Sequence, residues 1–191
     1  MTQIFFYILM GAWLFTEVFY KSKMSSNNSD QKGKDKSSLS LLWIVIISSI
    51  SLSIFVSYIH FEDFSLMMTT QNWIIYLGLF VLFIGIFTRF LIIKSLGKYF
   101  TVDVTIREGH KIKKDGIYSI LRHPSYAASL LTFLGLGLFL NNWFALFIAF
   151  IPPFLAFLYR IKIEEKALTE QFGQDYIDYK KQTKKLIPFI Y

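Results

Sequence analysis

Residues 116–126, Gly-Ile-Tyr-Ser-Ile-Leu-Arg-His-Pro-Ser-Tyr, place a guanidinium, an imidazole, two phenols and two hydroxyls directly before an apolar run. A second charged cluster, Arg160 to Glu165, closes the helical hairpin that follows. Within it Arg160 and Glu164 are i and i+4, so they share one helix face. An arginine can clamp a carboxylate through two parallel hydrogen bonds. Pro124 suits the first turn of a helix, so Arg122-His123 falls at a helix amino terminus, where the dipole and free N–H groups favour an anionic group. Two polar clusters at the same end of two membrane helices can build one site. Its chemistry would be done at a membrane surface, on a molecule that lives in the membrane. Plainer readings remain open here: His123 could cap a helix and meet a headgroup phosphate, and Arg160 with Glu164 could be a surface ion pair.

The elements that must position these residues are read from composition. Of 191 residues, 54% are hydrophobic and only 17% charged, which points to a membrane protein rather than a soluble domain. Phe (21) and Tyr (11) are abundant, as suits lipid-facing surfaces and headgroup belts. The net charge of +7 lies between apolar runs, so anionic lipid and topology account for it better than nucleic acid does. The absence of cysteine excludes disulfides, thiolate metal sites and a cysteine nucleophile.

Five apolar runs come near the length of about 20 residues that crosses a bilayer: 4–20, 39–59, 73–93, 126–140 and 143–159. The chain is therefore expected to be an all-α, polytopic membrane protein with about five transmembrane helices. No basic residue precedes the first run and no small-residue cleavage site follows it, which argues against a cleaved signal peptide. Residues 21–38 read as a solvated, mobile linker. Pro152-Pro153 should kink the fifth run, Asn141-Asn142 marks a tight turn, and 161–182 reads as a charged amphipathic helix. Two parts follow: 1–94 with the first three spans, and 95–191 with the last two, the polar clusters and the terminal helix.

Charge placement sets the orientation. Of the 20 Lys and Arg, five lie in 21–38, eight in 89–122 and seven in 160–185. Positive loops face the cytoplasm. Five spans with the amino terminus outside put every basic residue inside.

Other residues have structural readings. Glu17 is expected to pair with Lys21 at i,i+4. His60, Glu62 and Asp63 show no familiar metal-ligand spacing, and no metal is expected. Gly78 with Gly85, and Gly135 with Gly137, should permit close helix packing. Lys180, Lys181, Lys184 and Lys185 should touch anionic lipid.

Taken together, Leu96-Gly97, Gly116-Ile117-Tyr118, Arg122-His123-Pro124-Ser125-Tyr126, Glu164-Glu165, Phe172-Gly173-Gln174-Asp175-Tyr176 and Tyr179-Lys180-Lys181 resemble the isoprenylcysteine carboxyl methyltransferase family. That family belongs to a wider group of membrane methyltransferases that includes phospholipid N-methyltransferases. The resemblance covers 95–191; residues 1–94 match only in hydropathy. It implies S-adenosylmethionine bound on the cytoplasmic side by His110, Tyr118, His123, Pro124, Ser125, Tyr126 and Glu164, with Arg160 facing the substrate. The loop departs from the family pattern at Lys111, Ile112 and Lys113, and at Asp103. The implied reaction is methyl transfer to the carboxylate of a lipophilic, prenylcysteine-type acceptor reaching the site from the bilayer. A carboxylate is already ionised at neutral pH and needs no base, whereas a phospholipid amine must first lose a proton. N-methylation of a lipid amine is the first alternative, and a non-catalytic membrane scaffold the second.

Overall fold

A computed structural model describes residues 1–24, 36–59, 67–97, 100 and 111–188. Six α-helices follow in order: α1 (Thr2–Met24), α2 (Lys36–Ser57), α3 (Trp73–Leu96), α4 (Pro124–Phe139), α5 (Trp143–Phe172) and α6 (Gln174–Gln182). Among the described residues no strand forms, only isolated bridges. Helices α1, α2, α3 and α5 are long and apolar enough to cross a membrane; α4, with 16 residues, is shorter.

The expected runs become α1 to α5, with two corrections. The linker read at 21–38 is narrower than expected, because 21–24 continue α1 and 36–38 begin α2. Ser38 is buried rather than solvated. The charged helix at 161–182 is not separate from the fifth span. One helix runs from Trp143 through Pro152-Pro153 to Phe172, and the break comes at Gly173, where φ is 55°. Only glycine adopts that backbone region without strain.

Helix α3 packs along α4, and α2 along α5. Glycine makes the first contact close. A Cβ on Gly85 would lie 2.5 Å from the Thr132 nitrogen, and one on Gly78 or Gly135 would overlap the backbone of Phe139 or Leu82. Lipid supplies no hydrophobic drive between helices, so this intimacy substitutes for it. On the other side of α4, Phe133 and Leu130 join Trp13, Leu42, Ile46, Phe157 and Ile161 in a shared core.

The α4–α5 turn is as tight as Asn141-Asn142 suggested. Asn141 has φ 50°, and the Asn142 side chain accepts from the Ala145 N–H at 3.0 Å, capping α5. The Asn141 amide also exchanges two hydrogen bonds with the backbone of Thr69. At the opposite end, a single turn at 116–119 leads to His123, and Pro124 opens α4.

Candidate functional site

The two polar clusters meet where the amino terminus of α4 approaches the charged length of α5. Tyr126 is the centre. Its hydroxyl accepts from Arg160 Nε at 3.1 Å and donates to Glu164 Oε2 at 3.0 Å. Its ring stacks between His123, at a centroid distance of 5.7 Å, and Phe157, at 5.0 Å. His123 is 4% exposed; Nδ1 lies 3.6 Å from Glu164 Oε2, and Nε2 lies 3.3 Å from Glu165 Oε1. Pro124 is buried at the first helical position. The Ser125 carbonyl accepts from Arg89 Nη1 at 3.2 Å and from the Ser129 hydroxyl at 3.0 Å.

Arg160 is 2% exposed, and its Nη1 donates to the Ser38 hydroxyl at 3.1 Å. It lines a narrow cavity of about 50 Å³ among the membrane helices, together with Glu17, Trp43, Arg89, Tyr126 and Ser129. Glu164 is not in that lining. Arg160 and Glu164 share one helix face, but Tyr126 separates and connects them. Arg160 looks toward the membrane cavity and Glu164 toward the loop that precedes α4.

The tail closes the opposite side, through residues that sequence reasoning underrated. Arg122 Nε donates to Glu165 Oε1 at 2.8 Å, and Arg122 Nη1 donates to the carbonyls of Lys180 and Thr183. The N–H groups of Arg122 and His123 donate to the carbonyls of Lys184 and Lys185, at 2.9 and 3.2 Å. Tyr179 donates to the Tyr118 carbonyl at 2.6 Å, and Leu186 sits in the core beside Ile161 and Phe157. Glu165, to which sequence reasoning assigned no separate role beside Glu164, is 8% exposed and joins Arg122, His123 and Lys180. Adjacent helical positions point about 100° apart, so the two carboxylates meet His123 at opposite ring nitrogens, and beyond it Glu164 reaches Tyr126 while Glu165 reaches Arg122.

Burial, and then the Glu164 carboxylate, push the Tyr118 phenol above its usual range. Burial, and then Glu165 and Glu164, do the same to Tyr176. The Tyr176 hydroxyl is buried without a partner among the described residues. His110 and Asp103 lie outside the described residues, as do His60, Glu62 and Asp63. Among the described residues Glu17 is held by an arginine of another helix. Both its oxygens are held by Arg89, at 2.6 and 3.1 Å; the Lys21 side chain lies outside the described residues.

This arrangement has known counterparts. The phospholipid methyltransferase family profile matches residues 73–175, more than half of the chain, from α3 into α6. The chain belongs to that family. Among family relatives, protein-S-isoprenylcysteine O-methyltransferase B of Arabidopsis thaliana is 32% identical over 120 residues, covering 62% of this chain and 61% of its own. The protein-S-isoprenylcysteine O-methyltransferase of Saccharomyces cerevisiae is 35% identical over 116 residues, 60% of this chain and 48% of the other. The chain thus spans about half to three fifths of these relatives. Among solved structures, the eukaryotic intramembrane Ras methyltransferase isoprenylcysteine carboxyl methyltransferase aligns with a TM-score of 0.64 and 28% identity. That alignment covers 82% of this chain and 54% of that one. The resemblance read from the polar motifs is therefore borne out. With four helices fit to cross a bilayer, the chain is an integral membrane protein. The match begins at residue 73, within the part that had resembled the family only in hydropathy.

Proposed function

We propose that this protein is an S-adenosylmethionine-dependent methyltransferase acting on the carboxylate of a lipophilic, prenylcysteine-type acceptor. One observation carries the reading: the Tyr126 hydroxyl joins Arg160, at the membrane cavity, to Glu164, on the loop side. A donor site and an acceptor site one side chain apart are what group transfer between a polar and a lipid-borne molecule requires.

The loop side suits the methyl donor. Glu164 would accept from the amino or ribose hydroxyl groups, and His123 at the amino terminus of α4 would hold the carboxylate. The orphaned Tyr176 hydroxyl offers one more donor in the same quarter. S-adenosylmethionine would supply a methyl group on a sulfonium, ready for displacement by an oxygen nucleophile. His110 completes this set as the resemblance implies it. The cytoplasmic orientation of the site, with the amino terminus outside, rests on the all-inside placement of Lys and Arg.

The cavity side favours an acid over an amine. Glu17 spends both oxygens on Arg89, and Glu164 is not in the lining, so among the described residues no carboxylate there is placed to take a proton. Arg160 opposes an ammonium and attracts a carboxylate. Holding that carboxylate is the role assigned to Arg160, with Tyr126 and Ser38 fixing the guanidinium. Lipid-amine methylation is the second reading, supported by the description of the matching family.

The test is transfer of labelled methyl to an N-acyl prenylcysteine and, in parallel, to phosphatidylethanolamine vesicles. The expected product is a methyl ester that base releases. A base-stable methylamine would replace the first reading with the second, and failure to bind the methyl donor would leave a scaffold. Arg160→Ala is expected to abolish transfer while leaving donor affinity within a few-fold. Arg160→Lys should rescue partly, because an ammonium lacks the planar fork.

A further inference from the structure

Helix α2 lies outside the family match, yet it carries a donor with no partner among the described residues. Leu39, Leu42, Trp43 and Ile46 form one helical face against the cavity. Trp43 Nε1 is buried and makes no hydrogen bond among the described residues. A buried indole N–H ordinarily finds a partner, and between lipid-facing helices there is no bulk water to supply one. The polar groups that share the cavity are already engaged. Glu17 holds Arg89 through both oxygens, Tyr126 donates to Glu164, and Ser129 donates to the Ser125 carbonyl.

We propose that Trp43 is an acceptor-binding residue, whose indole N–H hydrogen-bonds the carboxylate of the lipophilic substrate that Arg160 draws into the cavity. This rests on the methyl-transfer reading of the same site. An ionised carboxylate has about four lone-pair directions, more than one guanidinium can fill, and a second donor from another helix would fix its plane. Trp43 also contributes no charge, so it would orient the carboxylate without adding to the positive field of Arg160. On this account the acceptor head is gripped from two helices, α5 within the family match and α2 outside it.

The experiment removes the N–H and keeps the shape. Trp43→Phe is compared with wild type, and with a protein carrying benzothienylalanine at position 43, which retains both rings and lacks only the N–H. Binding of N-acetyl-S-farnesylcysteine is followed by calorimetry alongside methyl transfer. Loss of a hydrogen bond to a charged group should weaken acceptor binding about tenfold or more. S-Adenosylmethionine affinity should stay within about twofold, and so should inhibition by an S-farnesyl thioether that carries no oxygen. Unchanged acceptor affinity in the benzothienylalanine protein overturns the proposal, as does an equal loss for the oxygen-free thioether, which would mark Trp43 as packing alone. If wild type binds the acid with Trp43-dependent affinity but does not methylate it, the binding role stands and the reaction reading falls. If wild type binds the acid no better than the thioether, both fall.

Discussion

Two arginine–glutamate pairs hold this molecule together, and they sit in different solvents. Arg89 and Glu17 join α3 to α1 among helices fit to cross a bilayer. Arg122 and Glu165 join the start of α4 to the polar end of α5. The first pair is closed: two guanidinium nitrogens meet two carboxylate oxygens, and the third reaches the Ser125 carbonyl. The second is a hub, in which Glu165 also meets His123 and Lys180, and Arg122 also meets two tail carbonyls. The difference follows from the surroundings. A charge at membrane depth must be matched locally, whereas one near water can share partners and be replaced by hydration.

The comparison is broken most severely at the closed pair. Glu17→Ala or Arg89→Ala leaves one buried charge alone, which costs roughly 3–5 kcal/mol. Thermal unfolding in detergent should show a large loss for each, and the double change to Gln at both positions should recover most of it. A single variant as stable as wild type would show that the charges are not matched in the bilayer. At the hub, Arg122→Ala should spare the fold but free the tail. Losing charged hydrogen bonds worth about 1.5–3 kcal/mol each should weaken S-adenosylmethionine binding about tenfold and expose residues 183–188 to protease.

Tyr126 lies between the two pairs and sharpens the contrast. Tyr126→Phe keeps the stack with His123 and Phe157 but cuts the link from Arg160 to Glu164. Turnover should fall about tenfold, a single net hydrogen bond to a charged group, with stability little changed. The smallest effect concerns pH. Burial pushes the Tyr179 phenol up to about 12. A raised phenol stabilises the docked tail fully below its ordinary value near 10, and that contribution is lost as pH rises through the raised value. Tail proteolysis should therefore increase between about pH 10 and 12 and do so less steeply in Tyr179→Phe.

Much of this was legible because a bilayer demands long apolar runs. The runs read at 39–59 and 73–93 differ from α2 and α3 by only a few residues. The glycines read as packing positions do bring α3 against α4. The break at Gly173 was misplaced because the charges from Arg160 onward read as the end of a span, although they ride on the same helix. Phe172-Gly173 was the available signal. The partners of Glu17 and Arg160 were not legible. The arginine that holds Glu17 is 72 positions away, and Ser38 is 122 positions from Arg160. Such pairings depend on which helix faces meet, which local spacing does not encode. Among the motif residues, Tyr126, His123 and Glu164 do assemble, because their spacing placed them on the two helix ends that the tight Asn141-Asn142 turn brings back together.

The tail pairing has a consequence for biosynthesis. Residues 120–123 receive their backbone partners from 184–185, and Leu186 fills the core beside α5. On the ribosome, α4 and α5 are made and can enter the membrane before those residues emerge. The loop that opens α4 must therefore wait, with its carbonyl and N–H groups at the water interface, until residues 184–186 are translated. A nascent chain halted before residue 183 would be inserted and yet not assembled, so the order of translation itself keeps a half-made protein from presenting a finished site.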